Sequence, residues 1–345
     1  METRKVQQLG PSTLAMTLPA AWTSEYGVEK GDELVIHEGT GTLTATTKTV
    51  GTEEGEAIIH VDELEDDAVE RAIIGQYVLG RRIIHVEQSE GALRGGTIDA
   101  VYRAESQLMG LGIVEETPER ITVRCSVDPA DFTLENLLER LESTGGTMRE
   151  ESVKALSRGN PELAQRAINR ERQANKLFVL LLRLIYTVHQ DPSIARSMGL
   201  DETLPLVGYR SIAKNLELTA DNAEDIATIV VESDGEALDV GQSTMRKIGE
   251  LTDDVNEISA LAVEAVIDRD YRLTTEVRRR FHEIKDREEQ LLSDLPELPN
   301  DQLLGIREVL VRLQETAQYA MQNAEIAANL ALHGDSENVS VESGA

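Results

Sequence analysis

The chain has 345 residues, is 40% hydrophobic and only 3% aromatic, and sets 63 Asp and Glu against 34 Lys and Arg for a formal charge of −29. That is too long for one small domain, too apolar for a disordered chain, and too acidic for a protein that coats nucleic acid without specificity. The acids are dispersed through periodic segments, a pattern tolerated where salt shortens the Debye length to ~3 Å near molar ionic strength. A halophilic source accounts for it; an ordinary acidic cytosolic protein is the alternative.

Cys125 stands alone, which excludes an intrachain disulfide. No basic-then-apolar leader pattern opens the chain. The longest apolar run, Leu177 to Val188, is about half a bilayer span and contains Arg183. A cytoplasmic protein without membrane insertion is expected.

Residues 1–50 read as short strands around a small helix. Val6 alternates with polar neighbours, Gly10-Pro11 breaks the chain before Thr13 to Leu18, and Pro19 can open a helix through Trp22 and Tyr26 that Gly27 ends. Gly31-Asp32 turns into a strand at Leu34 to Ile36, and Gly39-Thr40-Gly41 turns into another at Leu43 to Thr46. So short a segment buries little core alone, and an intertwined dimer would solve its stability problem. Gln8-Leu9-Gly10-Pro11-Ser12, Leu18-Pro19-Ala20-Ala21-Trp22 and Gly27-Val28-Glu29-Lys30-Gly31-Asp32-Glu33-Leu34 together resemble the AbrB/MazE swapped-hairpin domain over residues 3–48. The resemblance implies a homodimer of interleaved hairpins and DNA as a candidate partner, with Arg4, Lys5, Ser12 and Thr13 facing phosphates, Arg4 and Lys5 from the first strand. Against DNA, the segment holds Arg4, Lys5, Lys30 and Lys48 but Glu2, Glu25, Glu29, Asp32, Glu33 and Glu38, and phosphate neutralisation supplies most nonspecific affinity. A pure dimerisation module is the competing reading.

Gly51 to Glu56 reads as a linker. Beyond it the pattern alternates: strand Ala57–His60, helix Asp62–Gln76, strand Arg82–Glu87, helix Arg94–Met109, and strands at Ile113–Glu115 and Ile121–Val127. This order predicts a small α+β domain over residues 57–128. Gly95-Gly96 could receive an anion at a helix start or form a structural turn. His60 and His85 lie on strands without ligand partners at metal spacing.

From Leu134 the chain is helical nearly to its end. Asn160-Pro161-Glu162 is a helix start, with Asn as cap and Pro in the first turn. Ala164, Ile168, Glu171, Asn175, Phe178, Leu182 and Ile185 then recur at steps of four and three, setting two polar residues on an apolar seam. Further helices are expected at Leu206–Val231, Val240–Asp268 and Asp270–Leu292. The last, beyond Pro296 and Pro299, carries Leu303, Ile306, Leu310, Leu313, Ala317, Ala320, Ala324 and Ala327. Leu216 to Ala223 matches Leu313 to Ala320 in its pattern of small residues, so residues 134–232 and 240–332 read as two copies of one three-helix unit.

Leu216-Glu217-Leu218-Thr219-Ala220-Asp221-Asn222-Ala223-Glu224-Asp225-Ile226-Ala227 is similar to a signature of PhoU proteins, and Ala167 to Leu177 occupies the place of that family's Asp-x-x-x-Asp helix. With the AbrB-like segment in front, the order looks like an archaeal, haloarchaeal, subgroup. The resemblance implies a multidomain chain: a β-rich swapped-hairpin module, an α+β middle domain, and an all-α C-terminal half of two PhoU-like three-helix bundles. It also implies regulation of phosphate uptake by an adaptor whose partner is a phosphate ABC transporter or a phosphate-sensing regulator. Some members hold iron or zinc on carboxylates. Glu217 and Asp221 lie at i and i+4 and face one way, so with Glu171 and the neutral Asn175 they are the candidate ligands for iron, zinc or another divalent cation in repeat one. Bonding of these acids to Arg172, Arg210 or Lys214 is the alternative. In repeat two the matching positions are Gln314 and Gln318, with Arg280 and Ile284 expected opposite. His282 and Asp286, at i and i+4, read as a surface salt link.

No nucleophile elbow or phosphate loop is present, and Cys125 has no recognisable His partner, so catalysis is not expected. Two further readings stay open: a DNA-binding regulator whose PhoU-like part only senses or oligomerises, and a metal-binding or metallohydrolase protein.

Overall fold

The structure, a computed structural model, describes residues 3–39, 42–47, 55–191, 194–195, 198, 200, 205–233, 240–295 and 297–333. At the N-terminal end, β1 (Gln7–Gln8) pairs antiparallel with β2 (Leu14–Ala15), α1 spans Ala20–Glu25, and β3 (Leu34–Gly39) pairs antiparallel with β4 (Thr42–Thr47). Gly27 leaves α1 at φ 62°, the left-handed conformation that glycine adopts without penalty. The turn expected at Gly39-Thr40-Gly41 lies partly outside the described residues, as does most of the expected linker; Glu56 already belongs to a strand. None of the described side chains in residues 3–47 is buried, and Val6, Leu9, Leu14, Met16 and Leu43 are all more than half exposed.

A four-stranded sheet follows, in the order β5-β6-β8-β7, built from β5 (Glu56–His60), β6 (Ile83–Glu87), β7 (Leu111–Glu116) and β8 (Arg120–Cys125). β5 and β6 are parallel and the other pairings antiparallel. Helices α2 (Asp66–Val78) and α3 (Gly95–Gln107) bury Val69, Ile73, Val101 and Ala104 in the same core as Ile59, Ile84, Val86, Ile121 and Val123. Helix α2 begins later than the expected Asp62. The Asp62 carboxylate accepts from the Ser89 amide and hydroxyl, each at 3.0 Å, and this holds the residues before α2 in a turn. The Gly95-Gly96 start of α3 is also settled locally. A Cβ on Gly96 would lie 1.8 Å from Asp66 Oδ2, so a side chain there would push that carboxylate away from the helix start. The chain supplies its own anion.

The rest is helical. Bundle one consists of α4 (Leu134–Arg158), α5 (Pro161–Gln190) and α6 (Pro205–Glu232); bundle two consists of α7 (Gln242–Ile267), α8 (Tyr271–Ser293) and α9 (Asn300–Ala331). Asn160 caps α5 by accepting from the Leu163 amide at 3.1 Å. The bundles meet along α4 against α7 and α6 against α9. Asn215 to Asn323, Asn222 to Thr316 and Asp225 to Arg312 tie the second of these contacts, and their falling order shows that α6 and α9 run antiparallel.

The second copy repeats the first in detail. Gly159 and Arg269 both adopt left-handed conformations, at φ 54° and 50°. Asn160 and Asp270 both cap the next helix. With these residues superposed, buried Leu141, Gly145, Met148 and Ser152 fall on buried Leu251, Val255, Ile258 and Ala262. Arg269 is the copy without glycine, and a left-handed backbone is less favourable there.

Arg183, the charge inside the longest apolar run, joins the sheet domain to bundle one. Its guanidinium is buried, donates to the carbonyls of Tyr77, Gly80 and Arg81 at the C-terminal end of α2, and lies 4.7 Å from the centre of the Tyr77 ring. The Tyr77 carbonyl belongs to the negative end of the helix dipole, Gly80 and Arg81 lie just beyond it, and α2 carries no basic residue in its last turn. Arg183→Met keeps apolar bulk but strands those acceptors. It is expected to cost about 2–4 kcal/mol, read as a lower urea midpoint with faster amide exchange in α2. An unchanged midpoint would show that the carbonyls find other partners.

Candidate functional site

The α5 seam meets its expected position at Ala164 and Ile185, which are buried, and departs from it between them. Buried Leu163, Ala167, Ala174, Leu177, Leu181, Leu184 and Val188 line the bundle core, whereas Ile168, Glu171, Asn175, Phe178 and Leu182 are only half-buried. The polar residues therefore stand on the flank of the interface with α6, where water reaches them, and the apparent conflict with a dry seam disappears.

On α6, Glu217, Asp221 and Glu224 form a half-buried stripe facing Glu171. Burial first, and then the charges of Glu224, Asp221 and Glu217, raise the pKa of Glu171. Burial first and then Glu217 push Asp221 up to about 6, against an opposing pull from Lys214. Glu224 is raised by burial and by Asp225. The structure thus brings together three of the expected residues, Glu171, Glu217 and Asp221, with Asn175 one turn from Glu171 along the same flank. Sequence reasoning missed Glu224 as a member of this stripe, although its spacing of three from Asp221 was visible.

Lys214 supplies the counter-charge. Its Nζ bonds the Glu217 carboxylate one turn along α6 and sits 5.5 Å from the centre of the Phe178 ring on α5. Of the three basic residues expected as alternatives to a cation, this one is engaged. Among the described residues no three His, Cys, Asp or Glu side chains gather closely enough to hold a metal ion. With Glu217 bonded to Lys214, the described side chains of Glu171, Glu217 and Asp221 do not form a closed ligand set.

Bundle two departs from the expected correspondence. Arg280 does not face Gln314 and Gln318; it turns to Glu276 on its own helix and to Glu257 on α7. Ile284 is buried in the bundle core. Superposing Asn160 on Asp270 puts Phe281 and Lys285 in the places of Glu171 and Asn175, so this groove has an aromatic ring, an ammonium and two amides where bundle one has carboxylates. His282 bonds the Arg278 carbonyl at 2.7 Å through Nδ1.

In the N-terminal module, Arg4, Lys5, Ser12 and Thr13 are all exposed. Arg4 and Lys5 precede β1 rather than lying on it, and Ser12 and Thr13 belong to the connection into β2. On the sheet, His85 Nδ1 lies 3.0 Å from Thr122 Oγ1, and His60 and His85 each sit near a single glutamate.

Residues 138–230 match the PhoU domain family, a span that begins within α4 and ends within α6. The crystal structure of the phosphate transport system regulatory protein PhoU from Streptococcus pneumoniae resembles the chain with a TM-score of 0.42 and 16% identity, over 57% of this chain and 92% of that one. No curated protein matches the chain in sequence. The matched span covers most of bundle one, which is thus similar to a PhoU domain.

The stripe's charge has a measurable cost. In the folded chain Asp221 titrates at about 6 against an ordinary value of 3.8, so the folded state binds the extra proton between those values. Stability from this group is full below about pH 4 and is lost as pH rises through about 6. Two pKa units amount to ~2.7 kcal/mol, and half-exposure reduces that to about 1 kcal/mol. Asp221→Asn is expected to raise the melting temperature at pH 7 and to give no gain near pH 4. An equal gain at both pH values would mean that the carboxylate is not strained by its neighbours.

Proposed function

We propose that the chain is a dimeric, non-catalytic, cytoplasmic adaptor that regulates phosphate uptake, acting on a phosphate ABC transporter or on a phosphate-sensing regulator. The observation that carries this reading is the PhoU domain match over bundle one. The second bundle, joined to the first by polar contacts between α6 and α9, supports it by presenting a second face of different charge. No described helix is long and apolar enough to cross a membrane, which suits a partner that docks from outside the bilayer. Disrupting the gene is expected to leave phosphate uptake high in phosphate-replete cells, with normal repression restored by the intact chain. Uptake that is repressed as in the parent strain would overturn the reading.

The dimer is assigned to residues 1–50. Among the described residues their strands leave apolar side chains exposed and none buried, and a second copy is the simplest partner to cover them. Removing this segment is expected to convert dimer to monomer in light scattering, and a persisting dimer would place the interface elsewhere. DNA binding is the second reading, favoured by the exposure of Arg4, Lys5, Ser12 and Thr13 at one end of this module. In that case a band shift with DNA upstream of phosphate-responsive genes must disappear on changing Arg4 and Lys5 to Ala.

The cation reading of Glu171, Asn175, Glu217 and Asp221 requires Lys214 to release Glu217. Iron, zinc or another divalent cation would then neutralise the like charges that raise Glu171 and Asp221. The Asp221→Asn comparison tests this as well. Added metal must raise the melting temperature of the wild type and not of the variant.

A further inference from the structure

Helices α5 and α8 hold the same place in the two copies, yet they are fastened unequally. Helix α5 buries eleven apolar side chains and Arg183, and it packs on α2 of the sheet domain as well as on α4 and α6. Helix α8 buries Thr274, Val277, Ile284, Glu288 and Leu291, with Phe281 half-buried among them, and it packs on α7 and α9. The joint with bundle one runs through α7 and α9, so α8 is the helix of bundle two left outside it.

The inner seam of α8 recurs at steps of three and four and has a flaw at Glu288, whose carboxyl stands where an apolar side chain belongs and is 8% exposed. Burial raises its pKa, against an opposing pull from Lys285 one turn back. Among the described residues no hydrogen bond or ion pair engages this carboxyl, so its desolvation weakens the packing of α8. Charge at the surface makes up part of the loss. Lys247 to Asp294 at 2.8 Å, Asp254 to Arg287, and Glu257 to Arg280 at 2.7 Å form three rungs between α7 and α8. All six side chains are at least 30% exposed, and two open grooves of about 480 and 210 Å³ run beside the rungs and share Asp254 and Arg287. Exposed pairs of this kind contribute little singly and weaken as salt shortens the Debye length. At the entrance to α8, Arg269 holds φ 50°, a left-handed backbone that Gly159 adopts freely in the first copy and an arginine does not.

We infer that α8 is a detachable helix: it leaves bundle two as a unit, turning about Arg269, while α7 and α9 stay fastened to bundle one. Local opening selects elements with few buried apolar contacts and many exposed ones, and α8 meets both conditions. Its departure uncovers apolar side chains on both sides of the contact, Leu251 of α7 and Ile284 and Leu291 of α8, all buried while the helix is seated. Because the rungs are ionic, the opening answers to salt, and the chain holds a hidden apolar face whose exposure ionic conditions set. This inference goes beyond the regulatory reading and stands whether or not phosphate uptake is the process regulated.

The test is amide hydrogen exchange on the full chain, with α9 in the same sample as the reference. Peptides from both halves of α8 are expected to share one protection factor, at least about tenfold below that of α9. Raising NaCl from about 0.1 M to about 1 M, which shortens the Debye length from ~10 to ~3 Å, is expected to widen that ratio several-fold. Glu288→Met places an apolar side chain of similar length in the seam and is expected to narrow the ratio several-fold. Lys247→Gln with Arg280→Gln removes two rungs at the surface, so the experiment survives if Glu288→Met fails to fold; the ratio is then expected to widen at low salt and to lose most of its salt response. Protection in α8 equal to that in α9 would overturn the detachable helix, as would exchange confined to one end of α8 or a ratio that neither variant moves.

Discussion

A guanidinium in a hydrophobic helix is costly unless its donors are met, and Arg183 meets them with backbone carbonyls rather than with an acid. The end of α2 is a set of acceptors that no residue of α2 satisfies with a cation of its own. This one contact converts an unfavourable charge in α5 and an unfinished helix in the sheet domain into a mutual solution. It also fixes the direction from which bundle one meets the α2–α3 layer, because a fork of N–H groups is directional where apolar packing is not. Everything beyond α5 is then built outward from a helix whose azimuth is set in its last third.

Helix α6 takes the opposite role. One side carries Glu217, Asp221 and Glu224 toward α5; another packs Thr219 and Ala223 against Gly145 and Ser152 of α4; a third sends Asn215, Asn222 and Asp225 to α9. Its sequence is rich in Ala and Thr because three neighbours must approach it closely. A helix so surrounded cannot turn or slide without disturbing each contact, so charge on its α5 side and the alignment of the two bundles are mechanically connected.

Much of this was legible beforehand. The Asn160-Pro161 start, the duplication of three helices and the alternation of strands and helices through residues 57–128 all follow from capping chemistry and periodicity, which are local. What escaped was set by contacts distant in sequence. Between Ala164 and Ile185, which are buried as expected, the seam of α5 was placed one residue off because Phe178 and Leu182 are large and apolar yet serve the flank, while the core face is carried partly by small Ala167 and Ala174. Arg280 was set opposite the wrong helix because spacing alone cannot tell which neighbour an arginine will choose. The late start of α2 depended on Ser89. Of the candidate site, the acids themselves were readable, but the commitment of Glu217 to Lys214 and the inclusion of Glu224 were decided by packing.

The bare strands at the N-terminal end carry a consequence for dosage. The described side chains of that segment are not buried, and a cover supplied by a second copy would order them by mass action. If the cover is a second copy, a weakly expressed chain would persist as helical bundles with an unstructured leader, and only an abundant one would display the finished surface. Transcription and turnover of the chain would then be inputs to its activity, independent of any ligand.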